Sequence, residues 1–321
     1  MFAFGGTRTY HRMVCAIEDA GWVVKDCILF CYGSGFPKST NISKKLDKMA
    51  GVEREVIGKQ KRSQVASEGW DRPWKHKAME AAESTVAEFN ITAPATEAAK
   101  LWNGYGTALK PAVELICVAM KPNEGAYAEN ALKHGVAGLN IDAGRVETRD
   151  DLSGGINSGS AGIWTDKKIG PILYQQPKGR FPANFIHDGS PEVMELFPET
   201  KSGARTKSSS ASEGRIFKLH GGQCDGSQGS AARFFYTAKA SKSERARTTH
   251  PTVKPLSLIK YLVGLIKMPQ DTLILDPFMG SGTTGIACYE SGVEYVGIDL
   301  DCSEAKKRIE KVTKQHKLPG F

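Results

Sequence analysis

The residues best placed to do chemistry lie near the C-terminus, in Asp276-Pro-Phe-Met-Gly280-Ser-Gly282-Thr-Thr-Gly285 followed by Asp299. The glycines fit GxGxxG, a turn that lets a ligand approach the backbone closely, and an acid ending the next strand can accept both hydroxyls of a ribose. Asp276 sets a carboxylate beside any group bound in this turn. That disfavours a pyrophosphate and suits a ligand carrying an ammonium. A phosphate-cradling P-loop does not fit, because Thr283 stands where a lysine should follow the glycine. A dinucleotide site needs a second β-α-β half, and only Leu300 to Phe321 follow Asp299; because a circularly permuted sheet could supply that half from the N-terminal segment, an NAD-dependent oxidoreductase stays open as a third reading.

Elements suited to position these residues are legible on both sides. Leu256 to Ile266 has helical spacing, Thr272 to Asp276 is a short buried strand, and Thr284 to Ser291 makes a helix after the turn. Tyr295 to Asp299 is a second strand, and Ser303 caps a basic amphipathic helix through about Gln315. At the other end, Phe2 to Phe4 reads as a strand, Thr7 as the cap of a helix carrying Met13, Val14, Ile17 and Ala20, and Trp22 to Tyr32 as a buried strand. Between Gly33 and Ala112 one helix is expected near 77–89, and Leu115 to Ala119 restores a strand. From Lys121-Pro122 to about residue 233 the chain is rich in Gly and Ser, and segments such as Ser153-Gly154-Gly155 and Ser208-Ser209-Ser210 read as exposed loops.

Composition narrows the partner. The 321 residues carry a net charge of +8, and the stretch from Lys201 to His250 holds ten Lys/Arg against three acids. An anionic partner is favoured, and this stretch is where a nucleic-acid surface is expected. Lys25-Asp26 and Lys260 interrupt the two longest apolar runs, short of the roughly 20 residues a membrane helix needs. Seven cysteines without a CxxC pair suit reduced thiols, not a disulfide frame or zinc site, and His187 and His220 lack metal-ligand spacing.

Three motifs then carry a resemblance. His250-Pro-Thr252-Val-Lys254-Pro255, Asp276-Pro-Phe278-Met-Gly280-Ser-Gly282-Thr283-Thr284 and Gly297-Ile-Asp299 resemble, in order and spacing, the C-terminal half of permuted (beta-class) DNA amino-methyltransferases, which modify adenine N6 or cytosine N4. The opening Phe4-Gly5-Gly6-Thr7-Arg8-Thr9-Tyr10-His11-Arg12 is similar to phage and bacterial members. The resemblance implies an α/β fold: a Rossmann-like, circularly permuted S-adenosylmethionine-dependent methyltransferase sheet with an inserted target-recognition region. It divides the chain into 1–32 (part of the sheet), 33–249 (recognition, with a returning strand near 113–120) and 250–321 (cofactor-binding). It implies that Asp276, Phe278, Gly280, Gly282 and Thr283 line the S-adenosylmethionine pocket, that Asp299 holds the ribose, and that Thr252 and Lys254 meet the methionine carboxylate. The expected partner is double-stranded DNA, and the expected compartment is the cytoplasm of a bacterial cell or phage-infected host.

One part of the family pattern is missing. No (D/N/S)PP(Y/F/W) loop, which would hold a flipped base, occurs; Asp71-Arg72-Pro73-Trp74 is the nearest string. In the permuted order that loop precedes the Phe-Gly-Gly-Thr-Arg segment, so it is expected upstream of Met1, together with a central strand between those at Phe2 and Asp276. The gap calls for a truncated start, a polypeptide supplying the missing catalytic segment in a split enzyme, or a noncatalytic DNA-binding remnant. For DNA contacts the sequence offers Arg233, Lys239, Lys242, Arg245 and Arg247, cations spaced along an aromatic-bearing segment. Glu114 occupies a position where relatives are expected to carry a His-Glu-Pro-like run, and it has no assigned role.

Overall fold

The computed structural model describes residues 1–62, 87–150, 152, 178–203, 226–238 and 253–316, a mixed α/β chain. It divides into two compact units. The first comprises Met1–Cys31, Leu115–Thr237 and Gly264–Met268; the second comprises Tyr32–Glu114, Ala238–Val263 and Pro269–Phe321.

The first unit is built on a five-stranded mixed sheet of β1 (Phe2–Gly5), β2 (Val23–Cys31), β5 (Val113–Met120), β6 (Phe185–His187) and β9 (Tyr236–Thr237), in the order β1-β5-β2-β6-β9. β1 runs antiparallel to β5, with Phe2 opposite Val118, whereas β2, β6 and β9 run parallel. The centre of β5 reads as a continuous apolar run because its residues are buried on both faces: Ile116, Cys117, Val118 and Ala119 are all in the core. Helix α1 (Tyr10–Asp19) links β1 to β2; it begins after Thr9, not Thr7, and no side chain caps it, while α4 (Tyr127–His134) follows β5 and α5 (Pro191–Met194) follows β6. His187, fully buried, is the core histidine that its spacing suggests. Its Nδ1 accepts from the Gly189 amide at 3.2 Å, its Nε2 lies 3.3 Å from Thr237 Oγ1, and Phe197 stacks at a tilt 5.4 Å away.

Between β2 and β5 the chain makes an excursion that belongs to the second unit. Its incoming and outgoing ends are stitched together: Tyr32 donates to Ala112 O at 3.0 Å, Thr107 N to Ser39 Oγ at 2.9 Å, and Asn41 bridges Gly106. Gly35 is required here, since a Cβ would sit 1.7 Å from the Pro111 carbonyl oxygen. Beyond this neck lie α2 (Ile42–Met49), the antiparallel ribbon β3 (Val56–Arg62) with β4 (Ala87–Thr92), and α3 (Glu97–Leu101). β4 corrects the helix expected near 77–89: the last three of those positions are extended, and the rest lie outside the described residues. Asp47, buried on the inner face of α2, is the hub of the excursion. Its carboxylate accepts from the amides of Ala95 (3.1 Å) and Thr96 (2.9 Å) and the Thr96 hydroxyl (2.8 Å), and pairs with Arg54 at 3.2 Å. Burial pushes the Asp47 pKa up, but those donors outweigh it and hold it below the usual carboxylate value.

The second unit also holds α6 (Leu256–Ile266), through Val263, and then β10 (Leu273–Asp276), α7 (Thr283–Glu290), β11 (Glu294–Gly297) and α8 (Ser303–His316). β10 and β11 pair in parallel, Asp276 opposite Gly297, as a β-α-β unit requires. Asp301, not Ser303, caps α8: its Oδ1 accepts from the Ser303 amide at 2.8 Å, which lowers the Asp301 pKa. Among the described residues, no helix is long and apolar enough to cross a membrane, and no group of three His, Cys, Asp or Glu residues could hold a metal ion.

Candidate functional site

The turn expected from the glycines forms as a strand-turn-helix. Asp276 ends β10 and its Oδ1 accepts from the Phe278 amide at 3.1 Å, which bends the chain out of the strand. Met279 N then donates to Ile298 O at 3.0 Å, tying the turn to the chain beyond β11. Gly280 and Gly282 take the left-handed region, at φ 50° and 75°. A Cβ on Gly282 would meet Ala305 Cβ at 2.9 Å, so α8 is seated directly on the turn. The third glycine, Gly285, serves packing, since a Cβ there would meet Ile309 and Tyr295 side chains within 2.8 Å.

Asp299 faces this turn. Its Oδ2 accepts from the Gly280 amide at 2.7 Å and its Oδ1 from the Leu300 amide at 2.8 Å. A carboxylate offers about four lone-pair sites, so both oxygens keep acceptor capacity toward a further donor. Phe278, at 87% exposure, and Leu300, fully exposed, set apolar surface on either side of the two acids. Beneath the turn, the buried Tyr295 hydroxyl has no hydrogen-bond partner among the described residues. Burial, reinforced by the charge of Asp276, raises its pKa, and the same pair of causes pushes the Cys288 thiol up to about 11. Arg308, a residue that the motif reading passed over, reaches back from α8 to donate to Ser281 O and Thr283 Oγ1. Thr283 is thus buried and occupied within the protein.

The remaining expected residues fare differently. Lys254 is present in the second unit but not free: its ammonium donates to Glu114, which gives the unassigned Glu114 a partner 140 residues away. A ligand carboxylate could gain Lys254 only by sharing it with that acid. Thr252, Lys239, Lys242, Arg245 and Arg247 lie outside the described residues, as do Asp71-Arg72-Pro73-Trp74 and His220.

Arg233 is a correction. It was expected to face DNA, but its guanidinium is turned into the first unit. There it donates to Thr200 Oγ1 at 2.7 Å, Ser230 O at 2.9 Å, Ser227 Oγ at 3.2 Å and Gly229 O, and stacks on Phe234 at 4.4 Å. Those acceptors belong to the hairpin of β7 (Glu199–Lys201) and β8 (Gln228–Ser230) and its approach. The physical reason is local: carbonyls at the end of a short hairpin need donors, and arginine supplies several in one plane. Arg233→Ala is expected to destabilise the protein by on the order of 3 kcal/mol in denaturant unfolding, with the salt dependence of DNA binding unchanged.

Residues 1–310 match the sequence model of a DNA methylase family. The chain belongs to that DNA methylase family. Among curated proteins, it is 46% identical over 67 residues to the type II methyltransferase M2.MboI of Moraxella bovis, covering 20% of this chain and 24% of that one. It is 40% identical over 73 residues to the type II methyltransferase M2.LlaDCHI of Lactococcus lactis subsp. cremoris, covering 22% and 27%. The matched segments therefore span about a quarter of these family members. Of solved structures, the M1.HpyAVI–SAM complex is similar across 96% of this chain and 72% of that one, at 15% identity and a TM-score of 0.35, too loose a likeness to bear on the site.

Proposed function

We propose that this DNA methylase binds S-adenosylmethionine at the Asp276–Asp299 turn and serves methyl transfer to an exocyclic amino nitrogen, adenine N6 or cytosine N4, of double-stranded DNA. The observation that carries the reading is the Asp299 carboxylate fixed on the Gly280 amide, with spare acceptors aimed where a ribose diol would sit. The fit extends to the rest of the turn. Asp276 suits the ammonium of the amino-acid end, Phe278 and Leu300 offer faces for a base, the glycines leave no Cβ in the cradle, and the orphaned Tyr295 hydroxyl supplies a donor. When bound, S-adenosylmethionine would supply an electrophilic methyl carbon on its sulfonium, so that the N–C bond forms as the S–C bond breaks and the amino nitrogen gives up one proton, toward the base-activating loop or solvent. This chain's residues would hold and orient it: Asp276 would meet the ammonium and Asp299 the ribose hydroxyls, while Arg308 ties α8 to the turn. Lys239, Lys242, Arg245 and Arg247 are proposed to neutralise phosphates.

We propose that the base-activating loop comes from a segment not among these residues, carried by a longer form of this chain or by a second polypeptide. What supports this is the state of the β10–β11 pair: β10 pairs only with β11 among the described strands, and Leu273, Leu275, Val296 and Ile298 leave one face of the pair exposed. An unpaired strand edge is a template for an added strand. Calorimetry with S-adenosylmethionine and with NAD, followed by tritiated-methyl transfer to unmethylated duplex DNA, tests the reading. The expected result is binding of the first ligand and not the second, with transfer appearing only when a polypeptide bearing a (D/N/S)PP(Y/F/W) loop is added. Binding of NAD instead would overturn it.

A further inference from the structure

The excursion between β2 and β5 carries a surface that the cofactor site does not use. On α2, Lys44, Lys45 and Lys48 lie within one third of the helix circumference, all exposed, and none has an ion pair or side-chain hydrogen bond among the described residues. Lys38 lies exposed on the neck leading to this helix. No exposed acid offsets them on α2, since Asp47, its sole carboxylate, is buried and bound to Arg54, Ala95 and Thr96. Locally the arrangement is unfavourable twice over. Lys44 and Lys48 repel at i,i+4, and Lys44 stands in the first turn, where the helix dipole disfavours a cation and no acidic residue is present. Lys48, in the last turn, suits the helix dipole; the cluster as a whole is an exposed cationic surface with no exposed acid on α2, complementary to an anionic partner.

The elements next to the lysines fit the same partner. Arg54 donates to Ser43 Oγ at 3.2 Å and Thr92 O at 3.4 Å, so one guanidinium ties the base of the β3–β4 ribbon to α2. The ribbon stands in solvent on both faces, with Ile57, Phe89, Asn90 and Ile91 exposed. A two-stranded ribbon has the width that the DNA major groove admits. Phosphates are the anions regularly spaced beside such a groove.

We infer that the α2 lysine face, Lys44, Lys45 and Lys48, is a phosphate-contacting surface for duplex DNA, with the β3–β4 ribbon directed at the groove. The inference rests on the proposed function and deepens it, adding a second DNA-contacting surface, remote in sequence from the Lys239–Arg247 segment. Its test is the salt dependence of duplex binding by the full chain, K44A/K45A/K48A against wild type. Alanine favours the helix at these exposed positions, and K44R/K45R/K48R restores the charge. The slope of log K against log salt is expected to become shallower by about 2–3, at roughly 0.9 per lost phosphate contact. Affinity is expected to fall about tenfold or more, the arginine variant to recover both, and the heat of S-adenosylmethionine binding to stay unchanged. A wild-type protein that binds duplex DNA while the alanine variant keeps its slope overturns the inference and leaves the proposed function standing. A wild-type protein that binds S-adenosylmethionine but no duplex DNA at any salt overturns both.

Discussion

Gly282→Val is expected to abolish S-adenosylmethionine binding and to lower the stability of the C-terminal unit by about 2–5 kcal/mol, from two independent costs that add. The first is conformational: φ of 75° at Gly282 lies in the left-handed region, which costs an ordinary residue roughly 1–2 kcal/mol and a β-branched one more. The second is steric. A Cβ would stand 2.9 Å from Ala305 Cβ and 3.1 Å from its Cα, and backbone on the far side cannot swing away as a long side chain could. Over-packing of this kind typically costs about 1–3 kcal/mol. The pair can be separated experimentally. Ala305→Gly in the Gly282→Ala background removes the methyl contact but not the backbone strain, so about half of the lost stability is expected to return in urea unfolding. Full recovery would show that the turn tolerates an L-residue and that the left-handed geometry is not what holds the site.

That turn was legible in the sequence because its requirements are local. Glycines two and five apart, a short apolar strand before and an acid ending the strand after are all set by backbone geometry within about 25 residues. The helices at Leu256–Ile266 and Thr283–Glu290 and the strands β1, β2 and β5 were readable for a similar reason, their apolar periodicity being long enough to show. What the sequence hid was of two kinds. Short elements carry too little pattern: β6 has only Phe185, Ile186 and His187 yet lies inside the main sheet, and α2 has so many lysines that its helical period is masked. Long-range pairs carry none. Nothing near Lys254 announces Glu114, nothing near Arg308 announces the Ser281 carbonyl, and a basic, aromatic-bearing segment gave no sign that Arg233 would close a hairpin. The charge count located cations; only the fold showed which were already committed.

Replacing Asp299 by alanine is expected to weaken S-adenosylmethionine binding by roughly 30-fold to several hundred-fold, about 2–3.5 kcal/mol, because one side chain serves both the turn and the ligand. Its Oδ2 satisfies the Gly280 amide and its Oδ1 the Leu300 amide, so alanine leaves those donors to water while removing the acceptors proposed for the ribose hydroxyls. Two further variants separate these roles. Asn retains one acceptor oxygen for the Gly280 amide but loses the acceptor of the Leu300 amide and turns donors toward the ligand, so Asp299→Asn is expected to lose less unfolding stability than alanine, about 1 kcal/mol or less, and about tenfold in affinity. Glu keeps both acceptors with a longer reach, so Asp299→Glu is expected to hold affinity within a few-fold, about 1 kcal/mol, at the expense of the short Gly280 contact. If alanine, asparagine and glutamate all lowered stability in parallel with affinity, Asp299 would be a brace for the turn and nothing more. If asparagine separates the two measurements, the carboxylate itself is what the ligand reads, and the ribose-holding role follows from chemistry that the turn alone cannot provide.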